Sequence, residues 1–323
     1  MIRTVLGDIA PDALGATLVH EHLLMTGGWP VRMEPDFRLD SVDAAVEEVH
    51  RYRTAGGGSV VEMTPLGFGR DPDGLADISR RTGVNIVGCT GFHKVSHYAD
   101  THWLHHYKVD DIADLLVADI EDGLDRGGLE GPLVDRSQAR AGVIKIATEY
   151  QRTGSTVERL AEAVGMAHAR TGVPISTHTE QGTMGHAQLD LLGQAGVPAS
   201  AIIVGHIDHN PDADLLAEIA SRGAYLGFDM PGRIKYGPES QTIALIADLA
   251  ERGLAERLLF ASDLARRSYW PAYGGGPGLD YLLTVFMPRL RRAGLGDVVD
   301  AALVHNPKTA LELHETTANR QLL

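Results

Sequence analysis

The chain has one cysteine, Cys89, among 323 residues. No intrachain disulfide can form, and a reducing compartment is the simpler expectation. It has no excess of positive charge: 29 Lys and Arg stand against 43 Asp and Glu, a formal net charge of −14. A body this negative repels nucleic-acid backbones and anionic membrane surfaces, which excludes both as main partners. It has no apolar run approaching the roughly 18 residues of a membrane span, and the opening Met1-Ile2-Arg3-Thr4-Val5-Leu6-Gly7-Asp8 has no apolar signal core. A cytoplasmic protein is expected. There is no Pro- or Ser-rich linker, low-complexity tract or internal repeat, so one domain over 1–323 is expected, although length alone would suggest two. Hydrophobic content of 44% and charged content of 22% exclude disordered and fibrous classes. What the chain does have in quantity is histidine, 15 in all.

Eight short apolar runs read as buried parallel strands. They are 17–22, 59–63, 85–90, 142–146, 174–178, 201–206, 224–229 and 258–263. Amphipathic stretches lie between them: 40–54 with Ser41 as its cap, 109–127, 157–170, 212–221, 240–251 and 280–292. Alternation of strand and helix through the chain predicts a (β/α)8 TIM barrel. An open doubly wound sheet is the alternative, disfavoured because polar ligand-type residues end strands throughout and not mainly at one switch point. The connections 91–140 and 273–278 are expected to be enlarged loops.

Barrel enzymes carry their chemistry at the C-terminal ends of the strands. Here those ends hold His20 and His22, two apart and so facing the same way, then Lys145, His178, His206 and Asp263. A lone strand-end histidine is ordinarily a hydrogen-bonded structural residue. Four histidines and an aspartate on one rim form a metal-binding set, suited to Zn, Mn, Co or Fe. Lys145 does not belong in such a set as an ammonium, which repels cations. Either it pairs with a buried carboxylate, or it loses its charge, for instance as a carbamate.

The ordered pieces Val5-Leu6-Gly7-Asp8, His20-Glu21-His22, Gly142-Val143-Ile144-Lys145, Thr177-His178-Thr179, Gly205-His206 with Asp208-His209-Asn210, and Ser262-Asp263 span nearly the whole chain. This set resembles the phosphotriesterase family of the amidohydrolase superfamily. The resemblance implies a metal-dependent hydrolase with two divalent ions, Zn, Mn or Co. His20, His22 and Asp263 would hold the buried ion and His178 and His206 the exposed one. A CO2-derived carbamate on Lys145 and a hydroxide would bridge them. Asp263 and Lys145 would be the catalytic side chains, with Asp263 passing the proton to the leaving oxygen. It also implies a homodimer.

The loops after strands seven and eight place Arg233, Lys235, Arg266 and Arg267 beside this rim, where barrels commonly bind phosphate. The Lys235 loop, the Arg266-to-Tyr269 spacing and 273–278 resemble the branch that hydrolyses phosphorylated sugar lactones, in which Lys235, Arg266 and Tyr269 would hold the phosphate. His93 and Lys94 are further candidates for substrate contact. Phe92-His93 stands where relatives that favour acyl-homoserine lactones place a tyrosine. A phosphorylated furanose lactone is the expected substrate. A lipophilic lactone or organophosphate triester is the alternative, and a non-catalytic metal-binding scaffold the remote one. His209 is expected to orient a ligand, the histidines at 97–106 to sit in loops or an interface, and Cys89 to be a small buried apolar residue. Trp29 and Trp270 either wall the pocket or pack.

Overall fold

The computed structural model describes residues 1–316; residues 317–323, the end of the expected domain, lie outside that range. An N-terminal antiparallel hairpin, β1 (Ile2–Thr4) and β2 (Gly7–Ile9), precedes eight parallel strands. These are β3 (Ala16–Glu21), β4 (Gly57–Glu62), β5 (Asn85–Gly91), β6 (Ala141–Ala147), β7 (Ile175–His178), β8 (Ile202–Gly205), β9 (Tyr225–Phe228) and β10 (Leu258–Phe260). They lie side by side in chain order from β3 to β10, each paired with the next, and form a nearly closed (β/α)8 barrel. All eight expected strands are present, and the open doubly wound alternative is excluded.

The apolar side chains divide into two layers. Val19, Val61, Val87, Val143, Ile203 and Leu259 pack inside the barrel, sealed below by Ile2 and Leu14. Leu18, Val60, Ile86, Ile144, Ile175 and Leu226 pack outward against the helices. Alternation along each strand produces this division. The exception is β3, whose pairing with β4 slips between Leu18 and Glu21. Val19 faces the interior, yet His20 and His22 line the cavity above it. An irregularity of this kind re-aims side chains at a strand end.

Helix Val42–Thr54 opens on Ser41, whose hydroxyl accepts from Ala44 N at 3.2 Å, as expected. Two helical expectations change. Helix Val109–Glu121 stops six residues short of Gly127, because Gly123 at φ 121° turns the chain. The stretch 280–292 divides into a π-helical turn, Leu282–Phe286, and an α-helix, Met287–Arg292. Pro288 lacks the N–H an unbroken α-helix needs there, and the wider turn accommodates that loss. Helices Pro72–Thr82 and Gly185–Gln194 are additional to those expected.

Candidate metal centre and active site

The rim of the barrel encloses a cavity of about 240 Å³. His20, His22, His93, Lys145, His178, His206, Lys235, Asp263, Arg266 and Tyr269, every site residue expected from the sequence, line it. They are joined there by Lys94 and Glu180, by Arg233 and Tyr236, and by a wall of Phe68 and His97. A more open groove of about 820 Å³ runs over the flank beside Asp43, His50 and Asp280, away from the strand ends.

Two of the candidate ligands sit on strained backbone. His206 has φ 57° and Asp263 φ 47°, left-handed conformations that cost a non-glycine residue about 1–3 kcal/mol. Each is held by its neighbours: His206 N donates to Asp229 Oδ2 at 3.0 Å, and Asp263 N to His20 O at 3.1 Å. His22 Nε2 then lies 3.4 Å and His20 Nε2 3.8 Å from Asp263 Oδ1. The His206 ring is 4.6 Å from that of His20 and 4.4 Å from that of His178. His20, His22 and Asp263 form one group able to hold an ion, and His20, His206 and Asp229 another.

Electrostatics makes these side chains suitable ligands. Burial lowers the pKa of His20 and His93 well below the ordinary value, lowers His22, and brings His178 to about 3. The neutral imidazole, with its free lone pair, is the form that ligates metals. Burial alone would raise Asp263. The Arg233 charge and the bond with His22 outweigh it and hold that carboxyl well below the usual range. Buried ring nitrogens His20 Nδ1 and His178 Nδ1 have no hydrogen-bond partner. Neutral imidazoles, ionised carboxylates and unpartnered buried nitrogens around one polar cavity fit divalent cations.

Lys145 is fully buried, and its Nζ donates to Met63 O at 3.0 Å and lies 3.5 Å from His20 Nε2. Among the described residues no carboxylate is within ion-pair distance of it, so the buried ion pair is excluded. Desolvation lowers its pKa and favours the free amine.

The cations expected to form one anion site separate. Arg233 is buried, donating to Asp263 Oδ2 and Asp229 Oδ1, both at 2.6 Å. It belongs to the carboxylates of the centre and not to a free phosphate site. Arg267 pairs with Asp40 at 3.2 Å and covers the Tyr273 ring, outside the cavity. Lys235 and Arg266 remain on the cavity wall. Lys235 Nζ lies 4.8 Å from the centroid of the Tyr236 ring and 5.6 Å from that of Tyr269. Arg266 stacks on Phe37 and reaches Glu34 at 3.3 Å and Asp36 at 3.5 Å.

His97 lies in the connection after β5, as expected, and it also lines the cavity. It stacks on His93 at 4.5 Å, and both rings pack against Phe68. His209 Nε2 lies 3.4 Å from Asp229 Oδ1, and Asp229 Oδ2 lies 2.6 Å from His206 Nδ1, so one carboxylate links both histidines. Glu180, unflagged in the sequence although only two residues beyond His178, lies 3.4 Å from His178 Nε2 and 2.5 Å from Lys94 Nζ. Trp270 is buried and packs, donating to Leu264 O, whereas Trp29 is half exposed. Cys89 is buried, as expected.

The sequence model of the phosphotriesterase family matches residues 1–311. The chain belongs to the phosphotriesterase family. It is a metal-dependent hydrolase of that family. Within it, a phospho-furanose lactonase of Mycoplasmopsis synoviae (strain 53) is 34% identical over 324 residues, covering 97% of this chain and 92% of that protein. The structure of an amidohydrolase from Mycoplasma synoviae matches with a TM-score of 0.95 at 32% identity, over 99% of this chain and 97% of that one. The structure of the phosphotriesterase homology protein of Escherichia coli, complexed with phosphate in its active site, matches with a TM-score of 0.85 at 35% identity, over 93% and 100%. Both structural relatives extend the family likeness along nearly the whole barrel.

Proposed function

We propose that this phosphotriesterase-family hydrolase opens the ring of a phosphorylated furanose lactone. The observation that carries the reading is one polar cavity with a cluster of candidate metal ligands at its floor and Lys235, Arg266 and Tyr269 on its wall. The phospho-furanose lactonase of M. synoviae and the phosphate-bound E. coli protein support it. Lys235 and Arg266 offer charged donors, and Tyr269 a hydroxyl, to a phosphate on the sugar. His93, Lys94 and Glu180 line the same cavity, and these polar side chains suit a hydroxylated ring better than a lipophilic chain.

His20, His22, His178, His206 and Asp263 would hold two divalent ions, Zn, Mn or Co, and Lys145, as a carbamate, would join that ligand set. Ions held there supply a water of lowered pKa and Lewis acidity toward the lactone carbonyl. Lys145, desolvated and without an acidic partner, would carry the carbamate: its amine would add to CO2 with release of one proton. Asp263, kept ionised by Arg233, accepts the proton of the attacking water. It returns that proton to the ring oxygen as the acyl–oxygen bond breaks. We further propose a cytoplasmic homodimer working as one catalytic domain, for which elution as a monomer-sized species would be the contrary result.

The deciding comparison is kcat/KM of Mn- or Zn-loaded protein for a pentonolactone phosphate against the same lactone without phosphate. A ratio above about tenfold, or about 1.4 kcal/mol of discrimination, is expected. Lys235→Ala and Arg266→Ala should each raise KM for the phosphorylated lactone and spare the neutral one. A ratio near one, with turnover of both, would sink the phosphate assignment.

A further inference from the structure

The barrel is built from eight strands, but the ladder is incomplete. Among the described residues, no backbone ladder joins β10 to β3. The candidate ligands His20 and His22 lie on one side of that seam and Asp263 on the other. Their mutual distance therefore depends on whatever closes it.

Three consecutive amides cross the seam. Ser262 N donates to Glu21 Oε1 at 2.6 Å, and Leu264 N donates to Glu21 Oε2 at 3.3 Å. Between them Asp263 N donates to His20 O at 3.1 Å. The left-handed backbone at Asp263 is what lets the flanking N–H groups converge, and successive amides in such a turn form a concave site for a carboxyl group. Glu21 fills that site with no exposure to solvent. It is the middle residue of His20-Glu21-His22, so a single strand end supplies two candidate ligands and the clamp that brings the third to them. On the other flank His22 Nδ1 meets Thr64 Oγ1 at 2.9 Å, leaving Nε2 toward Asp263.

We propose that Glu21 is the positioning residue of the His20–His22–Asp263 ligand set: its carboxyl group clamps the 262–264 turn and fixes Asp263 against the two histidines. Glu21 touches neither substrate nor ion. It acts through the backbone that carries Asp263. The inference rests on the metal-centre part of the reading above and is independent of which lactone is hydrolysed.

The test uses full-length Glu21→Gln and Glu21→Leu with cobalt(II) as the probe. Gln keeps the shape and one acceptor, and Leu removes both. Three quantities are read: cobalt affinity by chelator competition, the visible cobalt spectrum, and hydrogen exchange of the Ser262 and Leu264 amides in metal-free protein. The expected result is that Glu21→Leu binds one cobalt ion about 10–100-fold more weakly, the range seen when residues supporting metal ligands are lost. An altered spectrum and faster exchange at 262 and 264 should accompany the loss, with Glu21→Gln between Leu and wild type. A merely structural role would lower thermal stability yet leave the folded protein's cobalt affinity and spectrum at wild-type values, which would overturn the proposal. If Glu21→Leu does not fold, Glu21→Gln decides, and wild-type affinity and spectrum there overturn it equally. Wild-type protein that loads cobalt but ignores phosphorylated lactones sinks the substrate reading alone, and protein that takes up no cobalt sinks both.

Discussion

Removing the Asp119 carboxylate isolates the effect of one buried charge. Asp119 lies in helix Val109–Glu121 with its side chain 0% exposed, and it meets Arg70, 1% exposed, at 2.5 Å. It also accepts from Thr90 Oγ1 at 2.7 Å and from Arg136 Nη1 at 3.0 Å. Arg70 in turn donates to Cys89 O at 3.2 Å. The network ties the helix to β5 and to the long connection after it. Asp119→Ala leaves the Arg70 guanidinium buried without a counter-charge, a loss of about 3–5 kcal/mol. For 323 residues, about 2.1 cal/mol/K per residue gives an unfolding entropy of roughly 0.7 kcal/mol/K, so Tm should fall by about 4–7 °C. Calorimetry of metal-loaded protein at pH 7 measures it. Arg70→Met should cost less, because Asp119 keeps Arg136. The double variant Arg70→Met/Asp119→Leu should recover much of the loss, since the remaining Arg136 is 21% exposed and can be solvated. A fall below about 1 °C for Asp119→Ala, or a double variant as unstable as the sum of the singles, would refute the reasoning.

Gly91→Ala should lower Tm by more than Gly83→Ala: both have positive φ, but a Cβ at Gly91 would sit 2.1 Å from Lys145 O, whereas Gly83 meets nothing within 4 Å. Thermal melts of the two variants check this. Chelation should abolish hydrolysis and lower Tm by about 8 °C if two ions had each been present at about a hundredfold its Kd, about 2.7 kcal/mol per ion, with recovery on adding Mn or Zn. Burial lowers the pKa of His97 to about 4. A histidine depressed in the folded state contributes its stability above the unfolded value of about 6.5 and loses it as pH falls from there toward 4. Metal-free His97→Phe, which keeps a ring against His93, should therefore show a shallower loss of stability between pH 6.5 and 4 than metal-free wild type. Equal slopes would mean that His97 does not titrate in that window.

The eight strands were legible because a strand covered on both faces is a short apolar run, and its end is marked by a polar residue. Seven of the ten expected site residues stand at or just past such ends, so their convergence on one rim follows once the barrel closes. The helix 72–82 was missed although Asp71-Pro72 and Gly83 are ordinary start and stop signals: its polar face and internal Gly74 dilute the apolar stripe. Helix 185–194, with Gly185, Gln188 and Gly193, is weakly patterned in the same way. The π-helical turn before Pro288 depends on a missing backbone donor that apolar periodicity does not register.

The residue types at the strand ends, their order along the chain and their suitability for cations were determined by the sequence alone, because alternation and strand length are local properties. Which charge meets which was decided by the tertiary structure. Arg233 and Arg267 occupy equivalent-looking loops, yet the first is buried on Asp229 and Asp263 and the second faces Asp40. Glu21 and the 262–264 turn are more than two hundred residues apart and meet only because the barrel closes between β3 and β10. An ionic or hydrogen-bonding side chain takes its role from the partner within about 3 Å, and for these residues that partner comes from a distant part of the chain.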